Sequence, residues 1–244
     1  MAWGQEWLQD MDNWARAVGV TLSTGALERL AQLGEELVEY NQRVNLTAIT
    51  GPSAVGIKHF ADSLSLIGRN LLPPGRGVDV GTGGGFPGLV LAIAAPDRAI
   101  DLVEANQKKV DWLSYIILRL GLEEVRVVRG RAEELGTSAA WRERYAWATA
   151  RAVAPLAVLA EFCLPLVALG GHLVAMKGPT LEEGELETAR PLVGQLGGRI
   201  RELVSVDLPE GAGQRTLVVV EKVRPTPSQF PRTMNRIKRL SRGN

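Results

Sequence analysis

A glycine-rich segment near residue 80 is the strongest local sign of ligand binding in the chain. It reads Asp79-Val80-Gly81-Thr82-Gly83-Gly84-Gly85-Phe86-Pro87-Gly88 and contains a G-x-G-x-x-G match that starts at Gly83. Glycine permits a sharp turn and lets the backbone approach a ligand closely. Pro87 suits the first position of a helix, whose free amide groups point outward. The segment therefore predicts a ligand-binding loop between a strand and a helix, although a glycine match alone is a weak signal.

Two acidic residues indicate which ligand suits this loop. Asp79 precedes the first glycine. Glu104 ends the second predicted strand, at a sequence separation from the glycine loop that suits an acid binding ribose hydroxyls. An acid beside the loop repels a pyrophosphate but attracts an ammonium group. S-adenosylmethionine carries an ammonium, a sulfonium and a ribose diol but no phosphate, so the charges favour it over a dinucleotide. The alternative is a glycine turn that serves close packing alone.

Polar residues collect at the ends of five successive predicted strands, where the ligands of open α/β sheets bind. They are Asp79, Glu104, the group of Arg129, Arg131 and Glu133, Arg151, and Lys177. The fourth strand continues as Ala150-Arg151-Ala152-Val153-Ala154-Pro155, which lacks the Asn-Pro-Pro-aromatic motif of many enzymes that methylate amines. A site without an obvious base suits a nucleophile that has a free lone pair, such as guanine N7. A lysine or arginine would then hold guanine O6 or a phosphate.

Short apolar runs alternate with helical stretches from residue 77 to residue 222. Strands are expected at Gly77–Val80, Ala99–Glu104, Val125–Val128, Tyr145–Arg151, His172–Lys177, Leu203–Leu208 and Thr216–Val220. Helices are expected at Pro87–Ala95, Asn106–Leu120, Ala132–Trp141 and Pro155–Leu169. Repeated strand, helix, strand units predict parallel strands with helices on both faces, and the short link before the last strand predicts an antiparallel edge hairpin. The fold class is therefore α/β, with a Rossmann-like, mostly parallel seven-stranded sheet.

Three regions are expected: a helical extension at 1–74, the α/β domain at 75–223 and a basic C-terminal tail at 224–244. Apolar residues recur at helical spacing in the extension, at Leu30, Leu33, Leu37, Tyr40 and Val44. Trp3, Trp7 and Trp14 share one helical face. Because no basic residue interleaves with these tryptophans, we interpret them as packing anchors rather than as a platform for nucleobases.

The net charge of +1 conceals an uneven distribution. The tail contains six basic residues and no acidic residue: Arg224, Arg232, Arg236, Lys238, Arg239 and Arg242. The remaining 22 basic residues stand against all 27 acidic residues, which gives residues 1–223 a net charge of −5. A basic tail on a mildly acidic body suggests a polyanionic partner, with a solvated terminus as the alternative.

The composition argues against several classes of protein. Hydrophobic residues make up 45% and charged residues 23% of the chain, as in an ordinary globular protein rather than a disordered or fibrous one. Cys163 is the single cysteine and there are two histidines, so neither an internal disulfide nor a zinc site is expected. The acidic N-terminus differs from a secretory signal, and Glu161 interrupts the longest apolar stretch. We therefore expect a cytoplasmic protein without a membrane segment or a metal, and a monomer by default.

Six short segments along the chain form a more specific pattern than the glycine loop. They are Asn45-Leu46-Thr47, His59-Phe60-Ala61-Asp62-Ser63-Leu64, the loop from Asp79 to Gly88, Gly130-Arg131-Ala132-Glu133, Ala150-Arg151-Ala152 and Ala175-Met176-Lys177-Gly178. In this order the chain resembles the 16S ribosomal RNA guanine-N7 methyltransferases of bacteria, the family once called glucose-inhibited division protein B. The resemblance implies an enzyme that uses S-adenosylmethionine to methylate N7 of one guanine in small-subunit RNA near the decoding site.

The resemblance also implies roles for individual residues. The cofactor contacts of the family fall on Gly81, Phe86, Ala132, Glu133 and Arg151, to which the reading of the loop and second strand adds Asp79, Gly83 and Glu104. Lys177 and Arg151 are candidates for positioning the base, and no general base is required. Contacts to RNA are expected at Lys177, His59, Arg232, Arg236, Lys238 and Arg239. The alternatives are a salt bridge for Lys177 and, for His59 and Asp62, a hydrogen-bond network between helices.

Two other functions stay open. The first is a nicotinamide-dependent oxidoreductase that uses the same glycine match, but the chain has no Tyr-x-x-x-Lys motif of such enzymes and Asp79 disfavours a pyrophosphate. The second is a non-catalytic RNA-binding assembly factor that keeps a cofactor pocket.

The basic tail departs from the family pattern, because no Gly-Pro-Lys run follows Phe230-Pro231-Arg232.

Overall fold

A seven-stranded sheet forms the centre of the computed structural model, which describes residues 3–151, 154–178 and 184–240. The strands are β1 (Gly77–Val80), β2 (Ile100–Glu104), β3 (Val125–Arg129), β4 (Tyr145–Arg151), β5 (Val167–Lys177), β6 (Gly198–Asp207) and β7 (Gln214–Lys222). They lie in the order β3-β2-β1-β4-β5-β7-β6. Strands β1 to β5 are parallel, while β7 runs antiparallel to both β5 and β6. The predicted Rossmann-like sheet with an antiparallel edge hairpin is confirmed.

Helices cover both faces of the sheet. They are α1 (Gln5–Ala17), α2 (Thr24–Asn41), α3 (Pro52–Val55), α4 (Asp62–Gly68), α5 (Gly88–Ala94), α6 (Gln107–Leu120), α7 (Ala132–Leu135), α8 (Leu156–Cys163), α9 (Glu185–Gln195) and α10 (Met234–Leu240). A π-helix at Gly56–Ala61 joins α3 to α4. One buried apolar core unites the N-terminal helices with α5 and α6, and a second core unites α8, α9 and the start of α10 with the other face. None of the helices in the described part of the chain is both long and apolar enough to span a bilayer.

Two element boundaries in the middle of the chain differ from the prediction. The expected helix Pro155–Leu169 ends at Cys163, because Pro165 lacks an amide hydrogen and cannot continue the helical hydrogen bonds. The apolar residues that follow belong to β5, which begins at Val167 instead of His172. A short apolar run fits a buried helix and a buried strand equally well, so the proline decides where the helix stops.

The N-terminal helices pack on the rest of the protein through aromatic side chains. Trp7 and Trp14 are buried, and their indole N–H groups donate to the carbonyl of Pro52 (3.1 Å) and to the carboxylate of Glu210 (2.8 Å). The Tyr40 ring of α2 lies 5.0 Å from the Trp112 ring of α6, measured between centroids. Trp7 and Trp14 are therefore packing anchors, as predicted. Glu210 lies between β6 and β7, so its hydrogen bond with Trp14 connects the N-terminal helices to the edge hairpin of the sheet.

Candidate active site

The parallel strands end at one edge of the sheet, and two cavities open along that edge. One cavity lies over the ends of β1, β2 and β3, and the other lies over the ends of β4 and β5. The strand order reverses between β1 and β4, and such a switch point is where open α/β sheets bind their ligands. We call these spaces the β1–β3 cavity and the β4–β5 cavity.

The β1–β3 cavity, of about 180 Å³, brings together four of the predicted cofactor residues, Gly81, Glu104, Ala132 and Glu133. Its other lining residues include Val80, Val103, Gly130, Arg131, Phe162 and Met234. The walls are mainly apolar, with the carboxylates of Glu104 at the end of β2 and of Glu133 in α7. An apolar slot with a few placed polar groups is typical of a site for a small organic cofactor.

Glu104 is held at the end of β2 by backbone amides. One carboxylate oxygen accepts from the amide of Gly83 (3.1 Å), and the other accepts from the amides of Ala105 (2.9 Å) and Asn106 (2.8 Å). A carboxylate offers about four acceptor sites, so these three bonds leave capacity for a ribose hydroxyl. The bond from the Gly83 amide holds the glycine loop against the Glu104 carboxylate. Gly83 is not among the residues that line the β1–β3 cavity.

Asp79 lies beneath the glycine loop and is fully buried. Its carboxylate accepts hydrogen bonds from the Thr82 hydroxyl (2.5 Å), the Gly88 amide (2.9 Å) and the Thr149 hydroxyl (3.3 Å). Burial raises the pKa of Asp79 to about 6, although these hydrogen bonds act in the opposite direction. The structure thus places Asp79 where it shapes the loop from below, with protein donors on both of its oxygens.

Phe86 lies on the side of the loop that faces the N-terminal helices, away from the residues that line the β1–β3 cavity. Its ring stacks on the His59 imidazole with 4.4 Å between centroids and 6° between planes. The guanidinium carbon of Arg151 lies 5.3 Å from the Phe86 centroid. From α6, the Trp112 indole donates to the Gly84 carbonyl (3.0 Å). The loop is therefore fixed by the domain on one side and by the extension on the other.

The β4–β5 cavity is larger, at about 460 Å³, and is rich in cations. Lys58, Arg151, Lys177 and Arg215 line it together with one carboxylate, Asp62. Lys58 and the adjacent His59 belong to the π-helix, a conformation that is frequent at functional sites. An excess of positive charge in a partly enclosed space favours an anionic ligand such as a nucleotide.

Arg151 connects the extension to the domain. Its guanidinium donates to Asp62 (3.2 Å), to Nδ1 of His59 (3.0 Å) and to the Lys58 carbonyl (3.2 Å). Burial lowers the pKa of Arg151, while the nearby Asp62 carboxylate raises it. Asp62 is buried as well and lies 3.5 Å from Arg215 through its other oxygen. The position of Arg151 at the mouth of this cavity thus depends on a buried ion pair.

His59 is uncharged in this network. Burial, with the positive Arg151 beside it, lowers the pKa of His59 to about 3. Because a guanidinium can only donate, Nδ1 accepts and the ring proton lies on Nε2, which donates to the Thr47 hydroxyl (2.8 Å). Thr47 in turn accepts from the amide of Ile49 (3.0 Å). These contacts are the hydrogen-bond network that the sequence offered as an alternative to direct substrate contact.

Lys177 lies at the end of β5 and faces the same cavity, but it is not a free cation. Its ammonium group contacts Glu185 of α9 (2.7 Å) and donates to the Ala154 carbonyl (3.2 Å). The Lys177 side chain is 17% exposed, so one side remains open to the cavity. Lys177 thus forms the salt bridge that the sequence offered as an alternative, and it also lines the β4–β5 cavity.

The predicted RNA contacts in the tail are placed differently from one another. Arg232 forms hydrogen bonds with the buried carboxylate of Glu161, which removes it from the set of available cations. Arg236 is exposed on α10. The side chains of Lys238 and Arg239 lie outside the described residues.

Four cavity residues were not predicted from the sequence: Lys58, Arg215, Phe162 and Met234. A basic residue beside His59 is the one signal that could have indicated Lys58.

The Rossmann-like sheet with an acid-ended cavity at its switch point is the arrangement that the sequence predicts for a methyltransferase. No group of three His, Cys, Asp or Glu side chains within the described ranges could hold a metal ion. A family model described as rRNA small subunit methyltransferase G matches residues 26–206, which is most of the chain. This chain therefore belongs to that family.

Individual relatives agree with this assignment. The chain is 42% identical to ribosomal RNA small subunit methyltransferase G of Pelotomaculum thermopropionicum over 219 residues, which cover 89% of this chain and 91% of the relative. It is 44% identical to the protein of the same name from Symbiobacterium thermophilum, with 88% and 90% covered. Among solved structures, a mutant of MtNAS in complex with S-adenosylmethionine matches with a TM-score of 0.54 and 16% identity, covering 89% of this chain and 78% of the other. That similarity supports the fold alone.

Proposed function

We propose that this protein transfers a methyl group from S-adenosylmethionine to N7 of a guanine in 16S ribosomal RNA. One observation carries the proposal: a mainly apolar, acid-ended cavity and a cation-rich cavity open side by side at the switch point of the sheet. The first suits a cofactor without phosphate, and the second suits a nucleotide. Membership of the rRNA small subunit methyltransferase G family supports the same pairing of cofactor and substrate.

The residues of the β1–β3 cavity fit S-adenosylmethionine. Glu104 has acceptor capacity left for the ribose hydroxyls, and Gly81, at φ 69°, exposes backbone without a side chain. Ala132 and Glu133 begin α7, and the first amides of a helix have no intrahelical acceptor, so they are available to the polar edge of an adenine. When bound, the cofactor supplies a methyl group made electrophilic by a positively charged sulfur.

The β4–β5 cavity fits attack by N7 because its possible bases are already engaged. His59 uses both ring nitrogens in hydrogen bonds, and Arg151 donates to Asp62. A guanine N7 carries a free lone pair, so no proton has to be removed before attack. When bound, S-adenosylmethionine would supply the methyl group to this lone pair, so that no side chain of the cavity would have to move a proton. The protein contributes by holding the base in line with the methyl group.

The cations of the β4–β5 cavity are proposed to position the RNA. Arg215 and Lys177 are fixed by contacts to Asp62 and Glu185, while Lys58 is exposed at the rim. Cations held by ion pairs suit the guanine O6 or a particular phosphate, and an exposed rim lysine suits the RNA backbone. Arg236, which is exposed on α10, is proposed as a further cation for the RNA backbone.

The proposal is tested by methyl transfer to defined RNA. The protein is incubated with labelled S-adenosylmethionine and either small ribosomal subunits or purified 16S RNA from a strain without the endogenous modification. Borohydride reduction followed by aniline cleavage detects N7-methylguanosine. We expect label at a single guanine in at least one of the two substrates. Transfer to neither would contradict the proposal, and label resistant to aniline cleavage would place the methyl group elsewhere.

A matched pair of variants locates the RNA site. Lys58→Ala removes a rim cation of the β4–β5 cavity, whereas Arg29→Ala removes an exposed cation beside a cavity at the opposite edge of the sheet. Lys58→Ala should lower kcat/KM for RNA about 5- to 20-fold, the value of one charged contact, while Arg29→Ala should not. Equal losses in the two variants would show that the general charge of the protein, rather than this cavity, attracts RNA.

A further inference from the structure

The chain beyond β7 returns across the second face of the domain and reaches the cofactor side of the sheet edge. Phe230 and Ile237 are buried in the core that contains α8 and α9. We call Phe230–Ile237 the C-terminal segment. It carries two of the basic residues that the sequence assigned to RNA binding, Arg232 and Arg236, yet both of its ends are packed into the domain.

Polar contacts fix the segment along α8. The Arg232 amide and its Nε both donate to one oxygen of Glu161 (2.7 and 2.8 Å), and a terminal guanidinium nitrogen donates to the other oxygen. Glu161 is fully buried, so its charge requires this partner. Such a bidentate pair fixes direction as well as distance.

A second arginine secures the chain just before and at the start of the segment. Arg142 donates from one nitrogen to the carbonyls of Gly136 (2.7 Å) and Phe230 (2.8 Å), and from the other to the carbonyl of Thr226 (2.6 Å). A Cβ atom at Gly136 would lie 3.1 Å from the Pro231 ring, so the segment lies tightly against the turn after α7. The course of the segment is thus set by the domain.

These anchors bring Met234 into the wall of the β1–β3 cavity. Met234 and Phe162 of α8 face the residues at the ends of β1 to β3, and Met234 also borders a neighbouring space of about 490 Å³ that contains Arg131 and Glu133. Glu104, which suits a ribose, stands at β2, and the lining continues from there to Ala132 at the start of α7. An adenine attached to that ribose would lie toward Ala132, Phe162 and Met234. A flexible, polarizable thioether packs well on a flat aromatic ring.

We infer that the C-terminal segment is part of the cofactor site and that Met234 contacts the adenine of bound S-adenosylmethionine. This inference rests on the proposed function, and it adds a binding residue from a region that the sequence describes as a basic tail. Glu161 and Arg232 then act as positioning residues, because they hold Met234 in place without lining the β1–β3 cavity.

Calorimetric titration of the full-length protein tests the contact. We expect Met234→Ala to weaken binding of S-adenosylmethionine about 3- to 10-fold, the range for a sulfur–aromatic contact. Binding of 5′-methylthioadenosine should weaken by the same factor, because that ligand keeps the adenosine and lacks the amino acid. In steady-state assays the KM for S-adenosylmethionine should rise while kcat stays unchanged. Met234→Leu, which keeps the apolar volume, should restore most of the affinity.

The control is Asn235→Ala, an exposed neighbour on α10, which should bind both ligands as the original protein does. Unchanged binding in Met234→Ala, or a loss confined to S-adenosylmethionine, would overturn the inference and leave the proposed function intact. A loss of equal size in Asn235→Ala would also overturn it, since the segment would then act through its folding. An original protein that binds neither ligand would overturn the proposed cofactor, and the inference with it.

Discussion

Arg151→Ala should destabilise the protein as well as inactivate it. The Arg151 and Asp62 side chains are 15% and 3% exposed, and their charged atoms lie 3.2 Å apart. Unit charges about 4 Å apart interact by about 4 kcal/mol at an effective dielectric constant of ~20, and removing one partner of a buried pair costs about 3 to 5 kcal/mol. Arg215 lies 3.5 Å from Asp62 and compensates in part. We therefore expect a loss of about 3 kcal/mol in the free energy of unfolding.

A second substitution separates the structural role of Arg151 from its role toward substrate. Asp62→Asn removes the charge that Arg151→Ala leaves unpaired, so the double variant should recover about 2 kcal/mol relative to Arg151→Ala alone. Urea unfolding followed by circular dichroism measures all four proteins. If the losses of unfolding free energy in Arg151→Ala and Asp62→Asn add up to the loss in the double variant, the two side chains are not coupled and this reasoning is wrong.

Methyl transfer by the double variant completes the test. Because Arg151 also faces the β4–β5 cavity, activity should stay about 100-fold below that of the original protein even where stability has returned. Activity that recovers in step with stability would show that Arg151 acts only by holding the extension against the domain.

Four further substitutions address the glycine loop, the aspartate beneath it and the Lys177–Glu185 ion pair. Gly81→Asp should abolish calorimetric binding of S-adenosylmethionine, because it adds bulk and negative charge at a backbone φ of 69° in the cavity wall; binding within a few-fold of normal would move the cofactor elsewhere. Burial raises the pKa of Asp79 to about 6, so the folded state binds an extra proton and stability falls by about 2 to 3 kcal/mol as the pH rises from about 4 to 6; Asp79→Asn should remove that slope from urea unfolding measured across this range, and a retained slope would assign it to another group. Lys177→Ala should lower methyl transfer more than Glu185→Gln does, since Lys177 faces the cavity, whereas equal effects in the labelled assay would leave only the ion pair.

The parallel part of the sheet could be predicted because its strands contain short apolar runs that are followed by glycine or end at a charged residue. The pattern does not predict α9 (Glu185–Gln195), which contains Pro191 and has a mostly polar surface. It also places the start of β6 at Leu203 instead of Gly198, because the consecutive polar residues Arg201 and Glu202 interrupt the alternation of polar and apolar residues, at the point where the strand register shifts. The expected helix Ala132–Trp141 is shorter in the structure, where it ends at Leu135.

The cofactor side of the site could be predicted further than the substrate side. Gly81, Glu104 and Ala132 follow strands in sequence, and the ends of parallel strands necessarily meet at one edge. In contrast, Asp62 and Arg151 are separated by 89 residues, and their contact depends on how the N-terminal helices pack on the sheet. Met234 joins the β1–β3 cavity through tertiary anchors at Glu161 and Arg142, which no local pattern reveals.

The pairing of Asp62 with Arg151 and Arg215 has a consequence for synthesis of the chain. Asp62 is translated before both of its arginine partners. Arg151 comes at the end of β4, and Arg215 comes only in β7, next to the edge strand of the sheet. A carboxylate cannot be desolvated without a partner at a reasonable energetic cost. On the nascent polypeptide the N-terminal helices therefore gain the first charged partner of Asp62 only when Arg151 has been made, and the second only when Arg215 follows.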